Sequence, residues 1–258
     1  EPYRSIVTPR SPAESRPPSI YSLVWQGTYY QLWQRPVHPT TEILEHVPLG
    51  ESNTLPYCGR ASNAATEPLC SVDPVAIPPC TVVKKLGAKA LREGAALVAY
   101  QRPAPIVARA DQTLWPASWF HEPSAHTLTP TMPGRVISHI AVARSENYEL
   151  WLGGSFARGF EVSVDGRPVG SVRNKLSATN IRVHIADLFL AAGVHTIVLT
   201  FPNADLGPGS GNTEYNFLSS ITLVPKSPPS ELIEVDPRHA VDLCGRPLDW
   251  IELTRTAG

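Results

Sequence analysis

The chain has 258 residues, of which 27 are proline and 17 glycine, and its formal net charge is −1. Charged residues make up 17% and hydrophobic residues 42%, so a core can form and disorder is excluded. The proline load excludes a long helical bundle, and the absence of a basic excess excludes a nucleic-acid partner held by bulk charge.

Tyr3–Thr8 reads as a short strand. Ser11-Pro12 to Arg16-Pro17-Pro18 must be an extended loop, because proline blocks the helix interior. Two aromatic runs, Tyr21–Trp25 and Tyr29–Trp33, flank Gln26-Gly27-Thr28, which is a hairpin signal. Their aromatic side chains are expected to form the core of the first unit. Residues 36–80 read as a long loop rich in Pro, Asn and Ser. Thr81 reads as an N-cap of a helix with Val82, Leu86, Ala90 and Leu91 on one face, stopped at Gly94. Ala96–Tyr100 follows as a strand, and Gln101–Pro105 marks a break.

Beyond residue 106 the pattern becomes short alternating strands about ten residues apart, the mark of a β-sandwich or jelly roll. The strands are Val136–Val142, Tyr148–Leu152, Phe160–Val164, Gly170–Val172, Ile181–Ile185, His195–Phe201 and Phe217–Val224. Asp165-Gly166 is the strongest hairpin turn, Gly153-Gly154-Ser155 reads as a strand end, and Asp187–Gly193 reads as a break. The tail contributes one more strand, Trp250–Leu253. The fold class is therefore mainly β: a small α/β unit over residues 1–105, a sandwich over 106–228, and a tail over 229–258 that packs back on the first unit.

The four cysteines, Cys58, Cys70, Cys80 and Cys244, fit no zinc-finger spacing and lie in loop sequence. An even count in such loops points to two disulfides and an oxidising compartment. Cys58–Cys70 with Cys80–Cys244 is the preferred pairing, although the spacing alone leaves all three connectivities open. No charged-then-apolar leader and no apolar run of about 18 residues is present, so the chain is expected to be a mature form or an excised region that does not itself span a membrane.

Within residues 136–224, Asn147-Tyr148-Glu149-Leu150-Trp151-Leu152, Phe160-Glu161-Val162-Ser163-Val164-Asp165-Gly166, Leu190-Ala191-Ala192-Gly193-Val194-His195-Thr196-Ile197 and Phe217–Leu223 follow one another. This order resembles the β-jelly-roll carbohydrate-binding modules. The blocks Tyr3–Arg35 and Cys244–Glu252 resemble the C-terminal extracytoplasmic region of large actinobacterial multi-pass membrane proteins, themselves similar to polyprenyl-phosphate-dependent (GT-C type) glycosyltransferases. The resemblance implies a cell-envelope location, a membrane-embedded parent region that carries the catalysis, and a glycan or lipid-linked sugar as partner.

The scattered histidines form no metalloenzyme motif and no G-x-S-x-G elbow occurs, so the chain is expected to be non-catalytic. A sugar site needs an aromatic platform beside amide or carboxylate groups. Strand alternation turns Trp151 outward if Tyr148, Leu150 and Leu152 face the core. Trp119 lies in a proline-containing loop, and Asn174, Asn212 and Tyr215 lie in predicted sandwich loops. Asn216 stands just before the last strand, where related modules often place a sugar-binding amide. No cofactor is expected except a possible structural calcium. The resembling modules take it from acidic residues in the first strand and near the last, and in the first segment here, Ile106–Asp111, Asp111 alone is a candidate. A scaffold without sugar binding and a glycan-active hydrolase are the competing readings.

Overall fold

The computed structural model describes residues 3–49, 76–173, 181–202 and 216–256. In chain order the strands are β1 (Ser5–Pro9), β2 (Ser22–Gln26), β3 (Tyr30–Gln34), β4 (Thr41–Pro48), β5 (Ala96–Gln101), β6 (Ile106–Arg109), β7 (Phe120–Glu122), β8 (Thr127–Thr129) and β9 (Gly134–Val142). They continue as β10 (Glu146–Phe156), β11 (Phe160–Val164), β12 (Arg167–Val172), β13 (Ile181–Leu190), β14 (Gly193–Phe201), β15 (Asn216–Pro225), β16 (Glu231–Val235) and β17 (Leu248–Thr256). One helix, α1, spans Cys80–Glu93. The described chain falls into two compact units. One holds the residues up to Leu49, Ala76–Ala104 and those from Ser227 on; the other holds residues within Pro105–Lys226.

The first unit contains a four-stranded antiparallel sheet, β16-β5-β17-β4, and a three-stranded one, β1-β3-β2. Helix α1 packs Val83, Leu86 and Ala90 onto Leu97, Ala99, Ile251 and Leu253 of the four-stranded sheet. A 3-10 helix, Pro237–Leu243, adds Ala240 and Leu243 to this core. Gly87 makes the close approach possible, since a Cβ there would stand 2.6 Å from Ala240 Cβ. Gly94 ends α1 in the left-handed region (φ 62°), the conformation that glycine adopts without cost. The N-cap is Pro79, not Thr81, which lies inside the helix; no side chain caps this end. Leu91, expected on the buried face, is exposed.

A disulfide joins Cys80 at the start of α1 to Cys244 after the 3-10 helix, across 164 residues of sequence. Cys58 and Cys70 lie outside the described residues. The opposite face of the sheet is covered by the extended proline-rich segment. Trp250 Nε1–H donates to the Arg16 carbonyl (2.9 Å), and the Ser19 N–H donates to the Glu252 carboxylate (3.1 Å). Buried Arg102 pairs with buried Asp249 (2.9 Å) and donates to the carbonyls of Pro12 and Glu14. The terminal blocks of the chain are thereby built into one unit.

The second unit is a β-sandwich of jelly-roll type. One sheet runs β13-β10-β15-β8-β7, with β6 also on β15; the other runs β12-β11-β14-β9. Tyr148, Leu150, Leu152, Ile221 and Leu223 of the first sheet and Val162, Val164, Ile197 and Leu199 of the second are buried. The Asp165-Gly166 turn has φ 49° and 76°, as a two-residue primed hairpin requires.

Three strand readings are corrected, each at a β-bulge. Residues 41–48 form β4 instead of loop, and its register on β17 shifts at Leu253/Thr254, leaving Leu44 as the extra residue. β13 runs on to Leu190 through the expected break, with a shift opposite Leu150/Trp151. Gly153-Gly154-Ser155 lies inside β10, where the register on β15 shifts at Gly153/Gly154. A bulge inserts one residue and inverts the alternation from which a strand is read. The tail also holds a strand, β16, that precedes the expected one.

Candidate functional site

The jelly-roll topology gathers one set of strand ends. Phe156 at the end of β10 pairs with Asn216 at the start of β15, and Phe160 at the start of β11 pairs with Val172 at the end of β12. Gly154 of β10 pairs with Ile181, the first residue of β13, and Phe201 ends β14 beside Gly134. The connections after β10, β12 and β14 therefore all leave from this end of the sandwich. Asn174, Asn212 and Tyr215 belong to the latter two connections and lie outside the described residues.

An aromatic cluster closes this end from within. Phe156 meets Phe160 edge-on across the two sheets (5.9 Å), and Trp119 meets both Phe160 (6.2 Å) and Phe201 (6.1 Å) edge-on. Trp119 is 3% exposed and its Nε1–H donates to the Met132 carbonyl (2.9 Å). It is a core residue beneath the loop end and offers no open ring face. Asn216 is 4% exposed, and among the described residues neither atom of its side-chain amide has a hydrogen-bond partner. A buried amide lacking both donor and acceptor contacts costs about 1–3 kcal/mol, so it calls for a physical reason. Backbone room at this end comes from Gly154, with φ 147°, where a Cβ would stand 2.2 Å from the Phe217 carbonyl oxygen.

Trp151 does not join this group. It does lie on the face opposite Leu150 and Leu152, as alternation requires, yet it is only 5% exposed. Its ring packs edge-on to His184 (5.2 Å) and its Nε1–H donates to Glu149 (3.1 Å). The expected outward platform is thus a covered ring that orients two polar neighbours. Around it stand Glu149, His184, Asp187 and Lys226. Lys226 Nζ lies 3.0 Å from Asp187 and 3.9 Å from Glu149. The Lys226 hydrogen bond, and after it the one from His184, hold the Asp187 carboxyl below its ordinary range despite opposing desolvation. The same bond raises Lys226.

Asp111 lies in a short 3-10 turn after β6. Its carboxylate meets His126 Nδ1 (2.7 Å), Arg109 Nε (3.3 Å) and His121 Nε2 (3.9 Å). Calcium takes six to eight oxygen ligands. A guanidinium and two imidazoles around one carboxylate are the wrong chemistry, so these side chains do not fit calcium.

Sequence reasoning missed the outward face of β1-β3-β2. Val7 pairs with Leu32, which pairs with Trp25, and Pro9 pairs with Tyr30. Trp25 is 56% and Tyr30 42% exposed. The hairpin aromatics are therefore divided: Tyr21 and Trp33 are buried as expected, whereas Trp25 and Tyr30 are not. The period-two pattern of the hairpin carried this signal, since Trp33 alternates with Leu32 and Tyr30 on opposite faces.

No family model matches this chain, and no curated protein does. Among solved structures this chain is similar to a family 35 carbohydrate-binding module from Clostridium thermocellum (14% identity, TM-score 0.34, covering 46% of this chain and 96% of that one). It is similar to a family 36 module in complex with calcium and xylotriose (13% identity, TM-score 0.32, 45% and 96%). It is also similar to the Podospora anserina GH26-CBM35 β-(1,4)-mannanase (17% identity, TM-score 0.36), of whose length this chain spans 28% while 48% of this chain is covered. Similarity at this level assigns no function.

Proposed function

We propose that this chain is a non-catalytic carbohydrate-binding domain that works outside the cytoplasm. On the resemblance of its terminal blocks, it serves a membrane-embedded cell-envelope glycosyltransferase, presenting a glycan or lipid-linked sugar. The observation that carries the reading is Asn216: a buried amide whose donor and acceptor atoms meet no partner among the described residues, at the end of the sandwich from which three connections leave. Sugar hydroxyls are both donors and acceptors, and an amide serves one of each. The Cys80–Cys244 disulfide supports an oxidising compartment. Among the described residues no helix is long and apolar enough to cross a membrane. The test is titration of the chain with arabinan, galactan and other envelope glycans, followed by tryptophan fluorescence, with Trp119 as a nearby reporter. A saturable response that Asn216→Ala removes at unchanged melting temperature is expected. No response to any envelope glycan overturns the reading.

A second reading, a scaffold that binds no sugar, is favoured by the outward apolar face of Val7, Leu32, Trp25 and Tyr30 on the small sheet. It expects binding of the chain to detergent micelles or to the parent's membrane region through this face. Trp25→Ser with Tyr30→Ser would abolish that binding and leave glycan binding unchanged.

A further inference from the structure

The outer face of the β13-β10-β15 sheet carries a group of polar side chains that the sugar site does not use. Glu149 of β10 pairs directly with Asp187 of β13, and Trp151 pairs directly with His184. Residues three apart in a regular strand point to opposite faces. The bulge opposite Leu150/Trp151 adds one residue to β13 between them, and so returns His184 and Asp187 to the same face. One imidazole nitrogen and one oxygen from each of two carboxylates then lie within 4.8 Å of one another. His184 Nε2 stands 3.0 Å from Asp187 Oδ1.

Two further features point to a cation. The Trp151 indole N–H holds Glu149 by Oε2, which leaves Oε1 directed at the group, and the indole edge packs on the His184 ring. Ligand orientation by such neighbours is what metal sites require. The Lys226 ammonium already sits between the two carboxylates, 3.9 Å from Glu149 Oε1 and 3.0 Å from Asp187 Oδ2. It is a positive charge on a flexible stem, half exposed, that an ion can displace into solvent.

The geometry points to a divalent transition-metal site of the zinc class, formed by Glu149, His184 and Asp187. The donor set decides the class: one imidazole with two carboxylates suits zinc, whereas calcium takes oxygen alone. The ligand side chains are partly exposed, so further coordination positions face water. The site would tie β10 to β13 on the face away from the sandwich core.

Isothermal titration of the metal-free chain with Zn2+ tests this. A single saturable Zn2+ site is expected, weakened about tenfold or more by His184→Ala and by Asp187→Asn. Lys226→Met is expected to tighten binding, because the competing ammonium is gone. His126→Ala, at the separate Asp111 group, is expected to leave it unchanged. Thermal melts of each metal-free variant confirm that it folds, and Asp187→Asn carries the test if His184→Ala does not. Absence of Zn2+ binding, binding that His184→Ala and Asp187→Asn leave intact, binding that Lys226→Met does not tighten, or binding that His126→Ala removes would each overturn the assignment.

Discussion

The two units are held by different means. In the sandwich, most neighbouring strands are not consecutive in sequence, as in β13-β10-β15 and β11-β14-β9, and the end cluster of Phe156, Phe160, Phe201 and Trp119 is aromatic on aromatic. The Asp165 carboxylate of its His195–Asp165 pair is half exposed. The first unit is assembled from segments far apart in the chain. Arg102 and Asp249 meet across 147 residues, Ser19 and Glu252 across 233, and both carboxylates are buried. Glu252 also meets His46 Nδ1 at 2.8 Å. Buried directional polar bonds tie the first unit together, whereas ring-on-ring packing closes the end of the sandwich. The first unit should thus fail by loss of single bonds, and the sandwich by loss of packing.

The largest expected effect comes from Arg102. Arg102→Met leaves Asp249 buried without its cation and should cost about 3–5 kcal/mol in urea unfolding of the first unit, with little change in the sandwich transition. Adding Asp249→Leu should recover much of that loss; no recovery would show that the backbone contacts to Pro12 and Glu14, not the ion pair, carry the stability. Replacing both Cys80 and Cys244 by serine opens a closure of 164 residues. A loss of about 2–5 kcal/mol, again confined to the first unit, is expected in calorimetry. Equal lowering of both transitions would mean that the units do not unfold independently.

A smaller effect, in the sandwich alone, is expected at Gly154. Gly154→Ala forces a Cβ at φ 147° against the Phe217 carbonyl and should cost roughly 1–3 kcal/mol. Smallest is the pH dependence of the His195–Asp165 pair. His195 is raised by the Ala191 carbonyl and then by Asp165. Asp165 is lowered by His195 and by the Thr196 N–H. The histidine's contribution is complete below its ordinary range and is lost as pH rises through its raised pKa. The aspartate's is present above its ordinary range and is lost as pH falls through its lowered pKa. Stabilisation therefore peaks between the two, and Asp165→Asn should flatten the melting temperature of the sandwich across that window. The effect is small because Asp165 is half exposed.

Much of the architecture was legible because it is local. Alternation at Phe160–Val164, the Asp165-Gly166 turn and the glycine stop at Gly94 each depend on neighbours in sequence. The candidate site was legible in part. Asn216 could be picked out as the residue before the last strand, but its burial and its unpartnered amide depend on how β15 meets β10. Trp151 could be assigned to the correct face of β10, yet alternation says nothing of what covers a face.

Local sequence patterns were enough for the fold class, the strand-rich sandwich and the helix that ends at Gly94. Tertiary structure alone decided the rest. Bulges at Leu44, within β13 and beside Gly154 arise from pairing with another strand, so no local pattern announces them. It was one of these that turned His184 and Asp187 to the same face as Glu149. The division of the hairpin aromatics into buried Tyr21 and Trp33 and open Trp25 and Tyr30 likewise followed from which sheet face the rest of the unit covers. Periodicity is a property of the strand, whereas burial is a property of its neighbours.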